Sequence, residues 1–341
     1  MLMKLCILTV SALLLAACSS GTSGSEDGVY GPSSGPSGHG SSGNAGSSGS
    51  GGTGTPPAAG DMEVKDFGET AGLKMFVHVP PSVKAGAPVV VAMHGCTQTA
   101  AAYAGAGWNT LADARGFYVV YPEQQLANNF NRCFRWFEAA HTARGSGEPA
   151  AIAAMVEHVQ KTFGAGKAYV TGLSAGGAMT AVMLATYPDV FEAGSVLSGL
   201  PYHCATSQTD AYSCMNPGKT KTPQAWGDLV RAAASGNAPR VQVWHGDADY
   251  TVRPMNQGEI AKQFANAQGI DGVTPTSETV GRATRKVYKD ASGTPRVETF
   301  TVSGMGHGTP VDPKGGCGTA GAYILDTGLC SSKYAADFFG I

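Results

Sequence analysis

The chain has 341 residues, of which 14% are charged and 43% hydrophobic, and its 23 basic and 25 acidic side chains give a net charge of −2. This balance supplies no basic field for a phosphate backbone, which argues against nucleic acid as a partner. Of the 48 glycines, 14 lie in residues 19–60 together with 12 serines. The composition therefore predicts a low-complexity leader before one large globular domain over residues 61–341.

Residues 1–17 have the layout of a bacterial signal peptide. Lys4 precedes a mainly apolar run over residues 5–15, which is too short to span a bilayer, and small residues follow. The sequence Leu-Ala-Ala-Cys at 15–18 resembles a lipobox, where cleavage precedes a cysteine that is then acylated. We expect an exported, extracellular or cell-envelope lipoprotein that contacts a membrane only through a lipid on Cys18. Secretion with cleavage nearby is the alternative.

Residues 18–60 are dominated by Gly, Ser, Thr and Pro. Such a segment cannot bury enough apolar surface to offset the entropy lost on ordering. We expect a flexible tether that would hold the domain about 35 Å from its anchor on average.

Six cysteines remain once Cys6 is removed with the signal peptide and Cys18 is assigned to lipid. An even number in an exported protein predicts disulfides. Taken in chain order, the favoured pairs are Cys96–Cys133, Cys204–Cys214 and Cys317–Cys330. Neither Cys-x-x-Cys nor His-Glu-x-x-His occurs in the sequence, so no metal is predicted.

From residue 61 onward, short β-branched runs alternate with longer Ala-rich stretches, which predicts an α/β domain with a largely parallel sheet covered by helices. The predicted strands are 74–79, 88–93, 118–121, 168–171, 194–197, 241–244 and 297–302. The predicted helices are 110–115, 149–163, 177–187, 222–234 and 255–268.

A Gly-Leu-Ser-Ala-Gly motif at 172–176 lies between a predicted strand and a predicted helix. This is the context of a nucleophile elbow, so Ser174 is the predicted nucleophile. The backbone N–H of Ala175 would lie at a helix N-terminus, where it can stabilise a developing oxyanion. A second copy of the motif, around Ser33, has neither strand nor helix beside it and is discounted.

Two later strands lead into motifs that offer an acid and a base. The sequence His-Gly-Asp-Ala-Asp at 245–249 offers Asp249 as the acid, with Asp247 less favoured because it suits a turn. The sequence Gly-Met-Gly-His at 304–307 offers His307 as the base. The order Ser, Asp, His along the chain is that of an α/β-hydrolase triad.

The sequence His-Gly-Cys-Thr-Gln at 94–98 follows a predicted strand where this fold supplies a second oxyanion donor, which we assign to the Cys96 backbone N–H. If Cys96 is bridged to Cys133, the disulfide would hold this loop in place. His94 is expected to be structural, with its ring bonded to the backbone.

These motifs, with Asn-Arg-Cys-Phe-Arg-Trp-Phe at 131–137, resemble the polyhydroxybutyrate depolymerase-like esterases, a family that includes feruloyl and acetylxylan esterases. The resemblance implies an α/β-hydrolase fold, a triad of Ser174, Asp249 and His307, and oxyanion donors at Cys96 and Ala175, with no cofactor. The family often has Trp at the position of Phe134. Many polymer-degrading members also have a C-terminal substrate-binding domain, and its lack here favours soluble oligomers or small esters.

The expected function is hydrolysis of carboxylic esters through an acyl-enzyme by an exported serine esterase of the polyhydroxyalkanoate (poly-3-hydroxybutyrate) depolymerase type, with a polyester oligomer or an acylated polysaccharide fragment as substrate. The alternatives are a feruloyl or acetylxylan esterase acting on acylated polysaccharide fragments, a peptidase, and a non-catalytic binding lipoprotein on a hydrolase scaffold. Aromatic candidates for lining the pocket are Trp108, Trp136, Tyr202 and Tyr250.

Overall fold

A computed structural model describes residues 58–341. The predicted signal peptide, the lipidation site Cys18 and the tether as far as residue 57 lie outside the described residues. Within the part described, no helix is both long and apolar enough to cross a bilayer.

The main sheet contains ten strands in the described chain. They are β1 (Gly60–Val64), β2 (Lys74–Val79), β3 (Val89–Met93), β4 (Tyr118–Glu123), β5 (Ala168–Leu173), β6 (Phe191–Leu197), β7 (Arg240–Gly246), β8 (Thr276–Val280), β9 (Ala283–Lys289) and β10 (Pro295–Val302). Their spatial order is β1-β2-β4-β3-β5-β6-β7-β10-β9-β8. The six central strands, from β4 to β10 in space, are parallel, and antiparallel strands extend both edges.

Within residues 58–341, eight α-helices connect and cover these strands. They are α1 (Ala100–Ala104), α2 (Trp108–Arg115), α3 (Gly147–Phe163), α4 (Ala175–Thr186), α5 (Gln208–Met215), α6 (Pro223–Ala233), α7 (Met255–Ala267) and α8 (Ser331–Phe339). The short strands β11 (Thr309–Val311) and β12 (Ile324–Asp326) form a separate parallel pair. A 3-10 turn covers Ala139–His141.

The hydrophobic core lies on both faces of the sheet. In β3, Val89 and Val91 face a cluster that includes residues of α3, α4, α6 and α7, whereas Val90 and Ala92 face a cluster built with α2 and α8. A strand buried on both faces needs apolar residues at every position. This explains why the central strands are continuous apolar runs that are recognisable in the sequence.

The predicted fold class, a mostly parallel sheet flanked by helices, is confirmed. All seven predicted strands and five predicted helices are present, with ends shifted by up to three residues. The hairpin of β8 and β9 was not predicted. Strand β8 is exposed along nearly its whole length, and in β9 only Ala283 and Val287 are buried. An edge hairpin of this kind lacks the apolar run of a central strand.

The parallel strands bring the predicted site residues to one edge of the sheet. Strands β3, β5, β7 and β10 all point the same way, and each carries a motif just after its carboxyl end. Ligand sites of open α/β sheets form at this edge.

Candidate active site

Ser174 occupies a strained turn between β5 and α4. Its φ of 57° and ψ of −115° lie where non-glycine residues are rarely found. The turn is held on both sides, because the Ser174 N–H donates to the Leu197 carbonyl at 2.9 Å and the Ser174 carbonyl accepts from the Ala178 N–H at 2.8 Å. Strain of this size persists only when neighbouring bonds fix the conformation, as they do here.

Two glycines of the motif are required by close backbone approach. A Cβ atom on Gly172 would lie 2.4 Å from the Gly176 carbonyl oxygen, and one on Gly176 would lie 2.5 Å from the carbonyl oxygens of Met93 and His94. Neither distance is possible for a side chain. The glycines therefore allow β5, α4 and the loop after β3 to meet at Ser174.

The structure pairs His307 with Asp249. The His307 Nδ1 and Asp249 Oδ2 atoms are 2.8 Å apart. The other carboxylate oxygen, Oδ1, accepts from the backbone N–H groups of Thr251 and Val252, both at 2.9 Å. Asp247, the less favoured acid in the sequence, accepts instead from the Gly304 N–H at 2.6 Å.

Asp249 is buried but ionised. Burial opposes the charged form, yet the nearby ring of His245 and the hydrogen bond with His307 outweigh it and hold the pKa of Asp249 well below its usual range. An ionised Asp249 can only accept at Oδ2, so the hydrogen of this bond is on His307 Nδ1. The second ring nitrogen of His307, Nε2, is left to accept a proton.

Ser174 and His307 line the same cavity, and only 8% of Ser174 is exposed. The Ser174 hydroxyl makes no hydrogen bond to His307 in this structure. Such bonds are often long in a site without substrate and tighten in the complex.

The two predicted oxyanion donors lie beside Ser174. Cys96 and Ala175 line the cavity, and among the described residues neither backbone N–H donates to a protein acceptor. Ala175 is the first residue of α4, so its amide also carries the positive end of the helix dipole. Both amides are free to donate to an oxygen in the cavity.

His94 has the structural role that its position suggested. Burial lowers the pKa of His94 to about 4, so the ring is neutral at neutral pH. Its Nε2 accepts from the Gln124 N–H at 3.1 Å, and its Nδ1 therefore donates to the Gly95 carbonyl at 2.7 Å. The buried Phe134 ring packs 5.1 Å from the His94 ring. His94 thus links the loop after β3 to the loop after β4.

The six cysteines of the domain pair in chain order, as Cys96–Cys133, Cys204–Cys214 and Cys317–Cys330. The first pair joins the same two loops as His94, and beside it the Thr97 N–H donates to the Asn131 carbonyl at 2.6 Å. Thr97 and Arg132, next to the two bonded cysteines, have positive φ angles of 65° and 51°. The loop that carries Cys96 is therefore fixed covalently and by hydrogen bonds in a strained conformation.

The cavity has a volume of about 280 Å³ and a mainly apolar lining. Of the aromatic candidates, Trp136 lines it, whereas Trp108 and Tyr202 are buried in the core and Tyr250 is exposed outside it. Sequence reasoning missed three partly exposed aromatic residues of the lining, which we call the aromatic rim: Phe130, Tyr212 and Tyr323.

The rim residues are exposed by 72%, 60% and 45% respectively. Tyr323 has a φ of 60°, and its ring lies edge-on to the His307 ring with the centroids 6.1 Å apart. The rim residues come from the loop after β4, from α5 and from the loop before β12. Because these three residues lie far apart along the chain, no local sequence pattern predicts that they line one cavity.

No group of three or more His, Cys, Asp or Glu side chains that could hold a metal occurs within residues 58–341.

Comparison with known proteins identifies the family. Residues 73–287 match the family model described as esterase PHB depolymerase, where PHB is polyhydroxybutyrate. Poly(3-hydroxyalkanoate) depolymerase C of Paucimonas lemoignei is 55% identical over 288 residues, which cover 82% of this chain and 70% of that protein. Acetylxylan esterase A of Talaromyces purpureogenus is 35% identical over 267 residues, covering 74% and 69% of the two chains.

Among solved structures, an acetyl xylan esterase from Aspergillus awamori superposes with a TM-score of 0.71 at 29% identity, over 83% of this chain and 99% of that one. Family match, sequence relatives and superposition agree. The chain therefore belongs to the PHB depolymerase esterase family, has the α/β-hydrolase fold and is a carboxylic ester hydrolase.

Proposed function

We propose that Ser174, His307 and Asp249 form the catalytic triad of this esterase. The observation that carries the proposal is the 2.8 Å bond between His307 and the ionised Asp249, in the same cavity as a serine held at a strained elbow. In this arrangement His307 has one nitrogen bonded to the acid and the other free to act as a base.

The reaction proceeds in two halves. His307 Nε2 takes the proton of the Ser174 hydroxyl as Oγ attacks the ester carbonyl carbon, and the resulting oxyanion accepts from the Cys96 and Ala175 amides. The C–O bond to the alcohol then breaks, and the alcohol leaves with the proton from His307. Water attacks the acyl-enzyme with His307 again as base, which releases the acid and restores the Ser174 hydroxyl.

We propose a polyester of hydroxyalkanoate units, or its oligomers, as the substrate. The mainly apolar cavity suits a chain of ester and alkyl groups, which presents no hydroxyl groups along its length. The 55% identity to a protein named as a poly(3-hydroxyalkanoate) depolymerase supports the same class. Acetylated xylan is the second candidate, because the 35% identical relative is named as an acetylxylan esterase.

A panel of soluble substrates separates these candidates. We expect kcat/KM for a 3-hydroxybutyrate trimer to exceed that for an acetylated xylo-oligosaccharide or a feruloylated arabino-oligosaccharide by roughly 10-fold or more, the value of one well-filled apolar subsite. The measurement is initial rates at equal enzyme concentration. A higher kcat/KM for either sugar ester would reverse the assignment.

The aromatic rim provides a test on the solid polymer. Exchanging Phe130 and Tyr212 together for serine removes two exposed apolar contacts and is expected to reduce adsorption to a polyhydroxybutyrate film roughly 10-fold. Hydrolysis of a soluble short-chain ester should fall less than adsorption does, because neither residue hydrogen-bonds to the proposed triad. The matched control is Val273→Ser, since Val273 is 38% exposed but does not line the cavity. If the double variant and Val273→Ser adsorb equally, the aromatic rim does not contribute to adsorption.

We also propose that Cys18 carries a lipid and anchors the exported chain to a membrane. The lipobox-like sequence at 15–18 motivates this proposal, and three disulfides support an oxidising location outside the cytoplasm.

With Cys18→Ala we expect the esterase to move from the membrane fraction to the soluble fraction of bacterial cells and to lose incorporation of labelled palmitate. Cys6→Ala is the control, since Cys6 lies inside the predicted signal peptide and its removal should leave both readouts unchanged. Palmitate incorporation that survives in Cys18→Ala would contradict the assignment.

A further inference from the structure

A second histidine contacts the acid of the proposed triad. His245 lies near the end of β7 and is completely buried. Its Nε2 is 2.9 Å from the Val252 carbonyl oxygen and 3.3 Å from Asp249 Oδ2, the oxygen that also bonds to His307. The mechanism above does not use this residue.

The neighbours of His245 fix the position of its proton. Both atoms near Nε2 are oxygens that only accept, so Nε2 carries the hydrogen. The other nitrogen, Nδ1, is buried and has no hydrogen-bond partner among the described residues. A buried polar atom without a hydrogen-bond partner costs free energy of folding. A histidine at this position therefore calls for an explanation.

The contacts of His245 close the turn that holds Asp249. Val252 donates its N–H to Asp249 Oδ1 at 2.9 Å, and its carbonyl accepts from His245 on the other side. Val252 is thus held between the carboxylate and the ring. The same ring N–H also faces the carboxylate oxygen that must point at His307.

The neighbours of His245 on β10 and α7 are uncharged. The side chains that lower the pKa of the Asp249 carboxyl, against the effect of burial, are His245 and His307. On β10, the residue paired with His245 is the uncharged Thr301. The helix α7 packs here through Gln257, which is also uncharged and donates to the carbonyls of Val243 and Phe300.

We propose that His245 is a positioning residue that clamps the Asp249 turn and steadies the negative charge on Oδ2. The inference rests on the proposed triad. Without the His245 N–H, the negative charge of the carboxylate is less well stabilised by its surroundings, and it attracts the protonated ring of His307 more strongly. His307 would then act as a base only at higher pH, and the carboxylate would be less firmly oriented.

The test compares His245→Leu, which removes the N–H, with His245→Gln, whose amide places an N–H near the position of Nε2. For a soluble short-chain ester we expect His245→Leu to lower kcat/KM roughly 10-fold, the value of one charge-assisted hydrogen bond, and to move the acid limb of its pH profile upward. His245→Gln should restore the limb to its original pH. An equal loss of activity in both variants with the limb unmoved means a merely structural role and overturns the proposal.

A double-mutant cycle separates failure of this inference from failure of the triad. If His245 acts through Asp249, then His245→Leu adds little to the loss already caused by Asp249→Asn, whereas independent effects would multiply and contradict the clamp. Should Asp249→Asn keep full activity, the triad itself is wrong.

One measurement does not depend on the folding of His245→Leu. In ¹⁵N-histidine NMR spectra of the unmutated protein, assigned with His245→Gln, we expect His245 to have its hydrogen on Nε2. A hydrogen on Nδ1 instead would overturn the clamp.

Discussion

Replacing Ser174 by alanine is expected to lower kcat/KM for a soluble short-chain ester by about 10⁴- to 10⁶-fold, the range found when a triad serine is removed. The variant loses the oxygen that we propose forms the acyl-enzyme, while the backbone amides of Cys96 and Ala175 remain. Thermal unfolding should be unchanged, because the Ser174 hydroxyl makes no hydrogen bond to any residue within 58–341 and the turn is held by backbone bonds. Steady-state kinetics and a melting curve test both statements.

The matched control is Ser33→Ala, which alters the other Gly-x-Ser-x-Gly copy in the chain and should keep full activity. A fluorophosphonate probe should label the unmutated protein and Ser33→Ala but not Ser174→Ala. Absence of labelling in the unmutated protein would favour a non-catalytic binding role. Rates on matched ester and amide substrates test the peptidase alternative. Cleavage of the amide as fast as the ester would identify a peptidase.

Asp249→Asn is expected to reduce kcat roughly 10⁴-fold, as in serine proteases where the same exchange stabilises the wrong histidine tautomer. An asparagine amide can donate to His307 Nδ1, which would then carry no hydrogen and leave the hydrogen on Nε2 facing Ser174. The active-site base would be lost although the ring stays in place. Rates measured at several pH values test this, since activity should partly recover at high pH, where hydroxide can substitute for the base.

Asp247→Asn is the control for this exchange. Asp247 lies two residues away and bonds to the Gly304 N–H rather than to a histidine. An asparagine oxygen can accept the same bond, so we expect less than about a threefold change. A larger loss in Asp247→Asn than in Asp249→Asn would mean that the acid is wrongly assigned.

The central fold could be predicted because its signals are local. Each parallel strand is a short apolar run, and α3 and α7 are long enough to show as Ala-rich or mixed stretches between strands. The elements that were missed lie at the edges or are short, such as β8 and α5. Their stability comes from contacts with the rest of the domain, which a local pattern does not contain.

The proposed site divides in the same way. Ser174, Asp249 and His307 each follow a recognisable strand, so topology alone brings them to one edge of the sheet. The residues that surround them could not be placed. Tyr323 reaches His307 from a loop after β11, and the contact of His245 with Val252 depends on the path of a single turn.

The three disulfides lie outside the strands of the sheet. Cys96–Cys133 joins the loops after β3 and β4, Cys204–Cys214 lies in the segment between β6 and β7 that contains α5, and Cys317–Cys330 lies in the segment between β10 and α8. The disulfides therefore fasten segments outside the strands, and the Cys96–Cys133 bond joins two loops that line the cavity. If the Cys96–Cys133 bond is reduced, we expect the loop that carries the Cys96 amide to loosen and the esterase activity to fall.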